Sequence, residues 1–323
     1  MKTIFVSGTA GFIASNFINY MVKKYPNYLF VSIDKIDYCS NIKNIDVLHE
    51  KNHRFIKGNL LNNELMNIIF EEYDFNIILH FAAQSHVDNS FENSFIFIED
   101  NVKATVNLLE YSKKCKNLEK FIHVSTDEVY GEISLNGEYC TINTKLNPTN
   151  PYSASKASAE YFVLSYQKSF NIPIIITRGN NVYGPRQYPD KLVPKTIKKI
   201  MNNEKMTIHG NGKNFRSFMH VDDVVRAFEI ILEKGDVGKI YNIGTDYELC
   251  NLDVVKKIIE IIKPNENPND WIEYVKDRPW NDLRYGVNCD DLKNLGWFEE
   301  FTFDEGIINT IEWYKKIFSI ATT

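Results

Sequence analysis

The sequence predicts an α/β protein with a doubly wound parallel sheet and a smaller, partly interleaved α/β domain after it. In its first half, short β-rich runs alternate with amphipathic stretches, as is typical of βαβ units. A glycine-rich turn joins the first of these runs directly to the first helical stretch. With 323 residues and 44% hydrophobic content, the chain can bury a large core.

The predicted elements follow the periodicity of the apolar residues. β-Rich runs bounded by turn residues predict strands near 3–7, 28–34, 54–57, 77–81, 121–125 and 172–177. Apolar residues at three- and four-residue spacing predict helices near 12–24, 62–72, 94–116, 151–170, 221–234, 251–262 and 303–318. Turns rich in Asn, Pro and Gly become frequent after about residue 178. We therefore divide the chain into domains over 1–178 and 179–323, with later segments returning to the first.

Composition excludes several classes of function. The net charge of −5 leaves no excess of Lys and Arg for a phosphate backbone, so we expect no nucleic-acid partner. The apolar N-terminal stretch is too short for a signal peptide, and no segment approaches the roughly 20 apolar residues that span a bilayer. We therefore expect a cytoplasmic protein without a membrane partner. The five cysteines lack CxxC spacing, which disfavours disulfides and a zinc site, and no metal site is predicted.

The glycine-rich turn has the features of a dinucleotide site. Gly8 allows a tight turn, Gly11 lets the backbone approach a pyrophosphate, and the small Ala14 lets helix and strand pack. The second strand ends at Asp34, about 20 residues later, where a carboxylate can accept both ribose hydroxyls and repel a 2′-phosphate. This favours NAD over NADP, although Lys35 adds a positive charge. A plain turn at the glycines and a turn cap at Asp34 are the alternatives.

Two neighbouring carboxylates, Asp127 and Glu128, follow the apolar run 121–124. In an open parallel sheet the ligand crevice lies at the carboxyl ends of the strands, so both side chains are expected at its floor. Paired carboxylates in such a crevice indicate proton chemistry. The alternative is an Asp-Glu pair in a surface turn.

Tyr152 and Lys156 place a phenol and an ammonium one helical turn apart. Tyr20 and Lys24 have the same spacing, and we interpret that pair as a packed Tyr beside a solvated Lys. Tyr152 differs because it follows the strand that precedes the two carboxylates. Lowering its pKa from near 10 to about 7 requires roughly 4 kcal/mol, which Lys156 and a cationic nicotinamide ring would supply.

Together the glycine turn, Asp34, Asn101, Tyr152 and Lys156 resemble an extended short-chain dehydrogenase/reductase over nearly the whole chain. This resemblance implies a Rossmann-like NAD-binding domain over 1–178 and a mainly nucleotide-sugar-binding domain over 179–323. His86, His123 and His220 lie on different predicted elements without ligand spacing, so we interpret them as structural or supporting residues.

Residues 125–131, Ser-Thr-Asp-Glu-Val-Tyr-Gly, resemble the nucleotide-sugar 4,6-dehydratases of that superfamily. The variants at 11–15, 38–41, 89–91 and 178–183 look closest to the UDP-glucose 4,6-dehydratase domain of plant-type rhamnose synthesis. The resemblance therefore implies a lyase with tightly bound NAD that converts UDP-glucose into UDP-4-keto-6-deoxyglucose. A dTDP-glucose 4,6-dehydratase, a UDP-sugar C4 epimerase and a non-catalytic NAD-binding regulator are the alternatives.

The resemblance also implies roles for individual residues. Tyr152, assisted by Thr126 and Lys156, would take the proton of the glucose 4-hydroxyl. Glu128 would remove the C5 proton, and Asp127 would protonate the departing 6-hydroxyl. The implied cofactor contacts are Gly8, Gly11, Phe12, Ile13, Asp34, Lys35, Asp37, Asn59, Leu60, Ala82, Ala83, Gln84, Asp100, Tyr152 and Lys156. The implied substrate contacts are Ser85, Thr126, Asn181, Lys191, Leu192, Arg216, Asn251 and Arg278.

Two positions depart from the pattern of the family. Asn59 stands where an Asp is usual, and its amide oxygen keeps the acceptor but not the charge. Trp280 and Asn281 replace the Gly-His of many bacterial members, which puts the transfer of their substrate contacts in doubt. The superfamily further implies a homodimer, in which the helices near 94–116 and 151–170 form a four-helix bundle. Their apolar stripes also fit an ordinary core.

Overall fold

A computed structural model describes residues 1–277 and 280–320. Strands and helices alternate through the first half, as the sequence predicts. The strands are β1 (Thr3–Ser7), β2 (Leu29–Asp34), β3 (His53–Lys57), β4 (Ile77–His80), β5 (Lys120–Thr126), β6 (Ile174–Gly179), β7 (Asn181–Tyr183), β8 (Met206–His209), β9 (Phe215–His220), β10 (Ile240–Ile243), β11 (Glu248–Cys250) and β12 (Ile272–Val275). The helices are α1 (Phe12–Lys24), α2 (Asn63–Glu72), α3 (Val87–Glu92), α4 (Ser94–Phe97), α5 (Ala104–Ser112), α6 (Pro151–Phe170), α7 (Leu192–Met201), α8 (Val221–Lys234), α9 (Asn251–Ile262), α10 (Asp290–Asn294) and α11 (Phe303–Ile320).

A seven-stranded parallel sheet in the order β10-β6-β5-β4-β1-β2-β3 forms the centre of the protein. From β1 the chain winds to β3 in one direction and, after β4, to β6 in the other, so the order reverses between β1 and β4. The predicted α/β class with a doubly wound parallel sheet is thus confirmed. Such a reversal opens a crevice at the carboxyl ends of the strands.

Helices cover both faces of this sheet, which explains why its strands are apolar on both sides. Phe17 of α1 packs against Phe228 of α8 on one face. On the other face, Leu108 of α5 and Val163 of α6 lie in one core with Phe121 of β5. A third core joins α7, α9 and α11 beside a three-stranded sheet in the order β11-β9-β7. No helix within the described ranges is long and apolar enough to cross a membrane.

The predicted helix over 94–116 differs most from the structure. It is divided into α4, a π-helical segment over Ile98–Lys103, and α5, which ends at Ser112. Asn101 lies in the π-helical segment, and its side chain accepts from Gln84 N and donates to Gln84 O at 2.7 and 3.0 Å. A π-helical turn adds a residue locally, which accommodates this inward-facing amide. The sequence prediction also missed α3 and α7.

A buried ion pair joins α6 to the end of β6. The Arg178 guanidinium donates to both carboxylate oxygens of Glu160, with a shortest distance of 2.6 Å, and both side chains are almost completely buried. Arg178 also donates to the Tyr130 hydroxyl at 2.8 Å. The pair therefore fixes the helix that carries Tyr152 against the strand end beside it.

We expect Arg178→Met to lower the free energy of unfolding by about 3 to 5 kcal/mol, because it leaves the Glu160 charge buried and unpaired. Urea unfolding measures this loss. The exposed pair of Lys2 and Glu119 provides the control, since Lys2→Met should cost no more than about 1 kcal/mol. Adding Glu160→Gln to Arg178→Met should recover much of the stability. Equal small losses for Arg178→Met and Lys2→Met would contradict the structural role of the buried pair.

Candidate active site

Two adjoining cavities open at the carboxyl ends of the sheet strands, and Ser85, Asp190 and Lys191 line both. The first cavity, of about 260 Å³, follows the ends of β1 to β5. All fifteen residues that the sequence assigns to a cofactor line it: Gly8, Gly11, Phe12, Ile13, Asp34, Lys35, Asp37, Asn59, Leu60, Ala82, Ala83, Gln84, Asp100, Tyr152 and Lys156. The second cavity, of about 290 Å³, lies between the sheet and the later part of the chain.

The glycine turn forms the floor of the first cavity. Gly8 has a φ of +77°, and a Cβ there would lie 2.8 Å from the backbone of Ala82, so only glycine fits without strain. The turn leads directly into α1, which begins at Phe12. The backbone N–H groups at this helix start can bind an anion that approaches the turn.

Asp34 combines the two roles that the sequence left open. Its carboxylate accepts from Ala10 N at 2.9 Å and from Ile36 N at 2.7 Å, so it caps the glycine turn, and it also lines the first cavity. The neighbouring Lys35 ammonium lies 2.6 Å from Asp100 and 2.9 Å from Asp37. Two carboxylates therefore hold one ammonium, and together with Asp34 they leave an excess of negative charge that would repel a 2′-phosphate.

The acid pair lies on a short 3-10 turn, Asp127–Tyr130, which β5 enters directly. Asp127 is 3% exposed and lines neither cavity. Its Oδ2 accepts from Asn180 Nδ2 at 2.6 Å, and its Oδ1 accepts from Thr126 Oγ1 at 3.1 Å. Glu128 lines the second cavity, where its Oε2 accepts from Asn150 Nδ2 at 3.3 Å. Only Glu128 of the pair thus faces a cavity.

Burial perturbs both carboxyl groups. It raises the pKa of Asp127 to about 6, against hydrogen bonds from Asn180 and Thr126 that favour the ionised form. Burial, and then the neighbouring Asp127 charge, raise the pKa of Glu128 to about 7. In the chain alone Glu128 therefore holds its proton at least as firmly as Asp127. This order does not by itself favour Asp127 as the acid and Glu128 as the base.

Tyr152 and Lys156 lie in the first turns of α6 and line the first cavity. Pro151 begins the helix, and Asn150 and Ser153 form a capping box that fixes its start. The Lys156 ammonium donates to Val124 O at 2.7 Å, and burial lowers its pKa to about 8. The Lys156 side chain is thus fixed beside β5, one helical turn from Tyr152.

The pKa of Tyr152 differs from the sequence expectation. Burial and then the Glu128 charge raise it well above its ordinary value, although a hydrogen bond from Thr126 opposes them. In the chain without a cofactor, Lys156 does not bring the pKa of Tyr152 down toward 7. A phenolate at Tyr152 therefore requires an additional positive charge in the first cavity.

The second cavity contains most of the predicted substrate contacts. Among them, Lys191 Nζ donates to Ser85 O at 2.9 Å, and the Arg216 guanidinium lies 4.6 Å from the centre of the Tyr285 ring. Thr126 lies outside both cavity walls, and Arg278 lies outside the described residues. The predicted contacts that line the cavity are Ser85, Asn181, Lys191, Leu192, Arg216 and Asn251.

Sequence reasoning missed two residues that hold the acid pair, Asn150 and Asn180. An Asn before the Pro that starts a helix is an N-cap signal, so Asn150 could have been found. Asn180 had no such local signal.

Tyr20 and Lys24 match the packing interpretation, because the Tyr20 hydroxyl donates to Glu229 and accepts from Lys24.

The three histidines differ in their surroundings. The His123 ring is buried without a hydrogen-bond partner, and His220 Nδ1 accepts at the start of α8. His86 lines the second cavity, and its Nε2 lies 3.3 Å from an Asp190 oxygen.

Known proteins match this chain over almost its full length. The family model described as GDP-mannose 4,6 dehydratase matches residues 5–310. The dTDP-D-glucose 4,6-dehydratase of Dictyostelium discoideum is 48% identical and is aligned over 98% of the chain and 82% of its own length. A trifunctional UDP-glucose 4,6-dehydratase of Arabidopsis thaliana is 47% identical over 98% of the chain, which spans only 47% of that protein. The expected closer likeness to the plant-type enzymes is thus not confirmed.

Solved structures share the whole fold. The dTDP-glucose 4,6-dehydratase of Bacillus anthracis in complex with NAD has a TM-score of 0.89 and 39% identity, over 98% of this chain and 97% of its own. The enzyme of the same name from Streptomyces venezuelae, with NAD and TYD bound, has a TM-score of 0.91 and 31% identity, with 97% of each chain covered.

The raised pKa of Asp127 predicts a pH-dependent cost to folding. Between the ordinary value of 3.8 and about 6 the folded state binds more protons than the unfolded state, so this contribution to stability falls as pH rises through that window. We expect Asp127→Asn to stabilise the protein by about 2 kcal/mol near pH 8 and by little near pH 4. Urea unfolding at both pH values measures the difference. The exposed Asp246→Asn is the control, and a gain independent of pH would contradict the prediction.

Proposed function

The chain belongs to the nucleotide-sugar 4,6-dehydratase family, and on that premise we propose that it converts UDP-glucose into UDP-4-keto-6-deoxyglucose with NAD as cofactor. The main support for the proposal is that a phenol, Tyr152, and a carboxyl group, Glu128, lie near each other where the two cavities adjoin. Tyr152 lines the first cavity and Glu128 the second, and Glu128 accepts a hydrogen bond from Asn150, the residue that caps the helix carrying Tyr152. A sugar at this junction would meet a phenol and a carboxyl group together.

The first cavity fits a dinucleotide. The glycine turn suits a pyrophosphate, while Asp34 and Asp37 offer acceptors for ribose hydroxyls. Because Lys35 is held by Asp37 and Asp100, it is engaged by carboxylates, which favours NAD over NADP. When bound, NAD supplies the group that accepts a hydride from the sugar and later returns it.

The residues of the chain would move the protons. Tyr152 would accept the proton of the 4-hydroxyl, and Lys156 together with the positive charge of bound NAD would favour the phenolate. Glu128 would remove the C5 proton and later return it, and its pKa of about 7 suits both directions. Asp127 would protonate the departing 6-hydroxyl. In the second cavity, Lys191 and Arg216 would bind the diphosphate.

The proposed substrate carries UDP, and dTDP is the alternative nucleotide. The variants at 11–15, 38–41, 89–91 and 178–183 support UDP-glucose. The 48% identical Dictyostelium relative and the bacterial structures support dTDP-glucose as a second candidate. On the base the two differ by one ring methyl, which is worth only about 1 to 3 kcal/mol in a pocket. An epimerase or a regulator would not need the buried acid pair beside Tyr152.

We expect the purified protein to release a 4-keto-6-deoxy sugar from UDP-glucose, with a higher kcat/KM than from dTDP-glucose. Product analysis by NMR measures both reactions. Glu128→Gln should oxidise the sugar without eliminating water, and should lower product formation at least about 100-fold, because the C5 proton loses its acceptor. Preference for dTDP-glucose would select the second candidate, and absence of product from both sugars would contradict the dehydratase proposal.

We also propose that two copies pair through α6 and the segment from α4 to α5. Phe95, Ile98, Tyr161 and Phe162 are 81%, 52%, 61% and 44% exposed on these packed helices. Large exposed apolar side chains on neighbouring helices indicate an interface. A second copy presenting the same face would complete a four-helix bundle.

We expect the protein to be a dimer in solution and Tyr161→Glu to be a monomer, because the substitution buries a charge at the centre of the paired helices. Sedimentation equilibrium measures the mass. Phe298→Glu is the matched control, since Phe298 is 67% exposed outside these helices, and this variant should remain a dimer. A wild-type monomer would contradict the interface.

A further inference from the structure

Three lysines follow one another at four-residue spacing along one side of α7. Lys191 caps the start of the helix and accepts from Lys195 N at 2.9 Å, and Lys199 comes one turn after Lys195. Val193 and Ile197, on the opposite side, are buried in the core shared with α9 and α11. Because a helix rises about 1.5 Å per residue, successive members of this lysine row are about 6 Å apart along its axis.

The protein itself holds the two ends of the lysine row. Lys191 Nζ donates to Ser85 O at 2.9 Å, where the two cavities adjoin. Lys199 Nζ donates to Lys205 O at 3.1 Å, just before β8. Lys195 lines the second cavity between these ends, and its ammonium has no hydrogen bond or ion pair within the described part of the chain. The middle of the row is therefore available to a ligand.

The charges around the second cavity show why a phosphate would need this ammonium. Four acidic and three basic side chains line it among the described residues: Asp88, Glu128, Asp190 and Asp282 against Lys191, Lys195 and Arg216. A cleft with an excess of negative charge repels an anion. Without Lys195, two cations would be left beside four acids.

The order of groups in a nucleotide sugar relates the lysine row to the ligand, and this step rests on the proposed function. Such a molecule consists of a hexose, two phosphates, a ribose and a base in sequence. The hexose belongs where the cavities adjoin, beside Tyr152 and Glu128. Lys191 lies at the same junction, so it suits the phosphate attached to the hexose. Lys195 is one helical turn farther from the junction, as the second phosphate would be.

We propose that Lys195 binds the phosphate attached to the ribose, while Lys191 binds the phosphate attached to the hexose. An ammonium on a long, flexible side chain can donate to phosphate oxygens without a fixed geometry. Arg216, on β9, lines the same cavity, with its guanidinium 4.6 Å from the centre of the Tyr285 ring. Lys195 thus takes part in binding, and a nucleoside monophosphate suffices to engage it.

The test compares ligands that differ only in their number of phosphates. In calorimetric titration of the holoenzyme, Lys195→Met should weaken the binding of both UDP and UMP by about 10- to 100-fold, the effect of losing a hydrogen bond to a charged group. Lys191→Met should weaken UDP in the same way but leave UMP within about threefold, since UMP lacks the second phosphate. Uridine, followed by ligand-observed NMR, should bind Lys195→Met as it binds the wild type. The series dTDP, dTMP and thymidine should give the same ratios.

Two further variants separate charge from structure. Lys198→Met is the matched control, because Lys198 is exposed on the same helix and lines neither cavity, and it should leave every affinity unchanged. Lys195→Arg keeps the positive charge and should restore binding to within about fivefold of the wild type. In turnover of the nucleotide sugar, Lys195→Met should raise KM far more than it lowers kcat, because the contact is the same in the ground and transition states.

Equal weakening of uridine and UMP in Lys195→Met would overturn the proposal, because it would indicate a disturbed helix rather than a lost phosphate contact. Unchanged binding of UMP in Lys195→Met, or an equal loss in Lys198→Met, would overturn it as well. These results differ from failure of the proposed function, in which the wild-type protein binds UDP but yields no dehydrated sugar.

Discussion

The parallel register of β5, β6 and β10 is the constraint on which the active site depends. Thr126 pairs with Gly179, and Gly179 pairs with Ile243, so the three strands end at one level. The next residues, Asp127, Asn180 and Gly244, therefore leave the sheet side by side. A shift of one residue in the pairing of β5 with β6 would turn Asp127 away from Asn180, because successive side chains alternate between faces.

Burial is the dominant electrostatic influence at this edge of the sheet. It raises the pKa values of Asp127, Glu128 and Tyr152 and lowers that of Lys156, so each group is shifted toward its neutral form. The hydrogen bonds around them favour ionisation to different degrees. The protein thus holds several groups close to the pH at which they exchange protons, and a charged ligand can decide which of them is ionised.

The sequence predicted the central sheet because its strands are short, apolar and regularly spaced, and because the glycine turn follows β1 at once. The local pattern also predicted the glycine turn and Asp34, which line the first cavity, whereas the other residues expected there came from the family resemblance. It could not reveal that Asn101 would interrupt a long helix, because the reason is a contact with Gln84 that is distant in sequence. The fixed amide of Asn180 and the buried state of Tyr152 likewise depend on strand register and packing. The nucleotide preference depends on the detailed shape of a pocket, which a motif does not record.

The return of β10 to the edge of the main sheet links the two halves of the chain in folding. β10 covers the outer edge of β6, and the residues after it supply Gly244 and Thr245, which support the amide of Asn180. A polypeptide released near residue 178 would expose an unpaired row of N–H and C=O groups along β6, a surface prone to aggregation. During synthesis the sheet therefore stays incomplete until residues about sixty positions further along have emerged, and protection of the sheet edge coincides with assembly of the catalytic end.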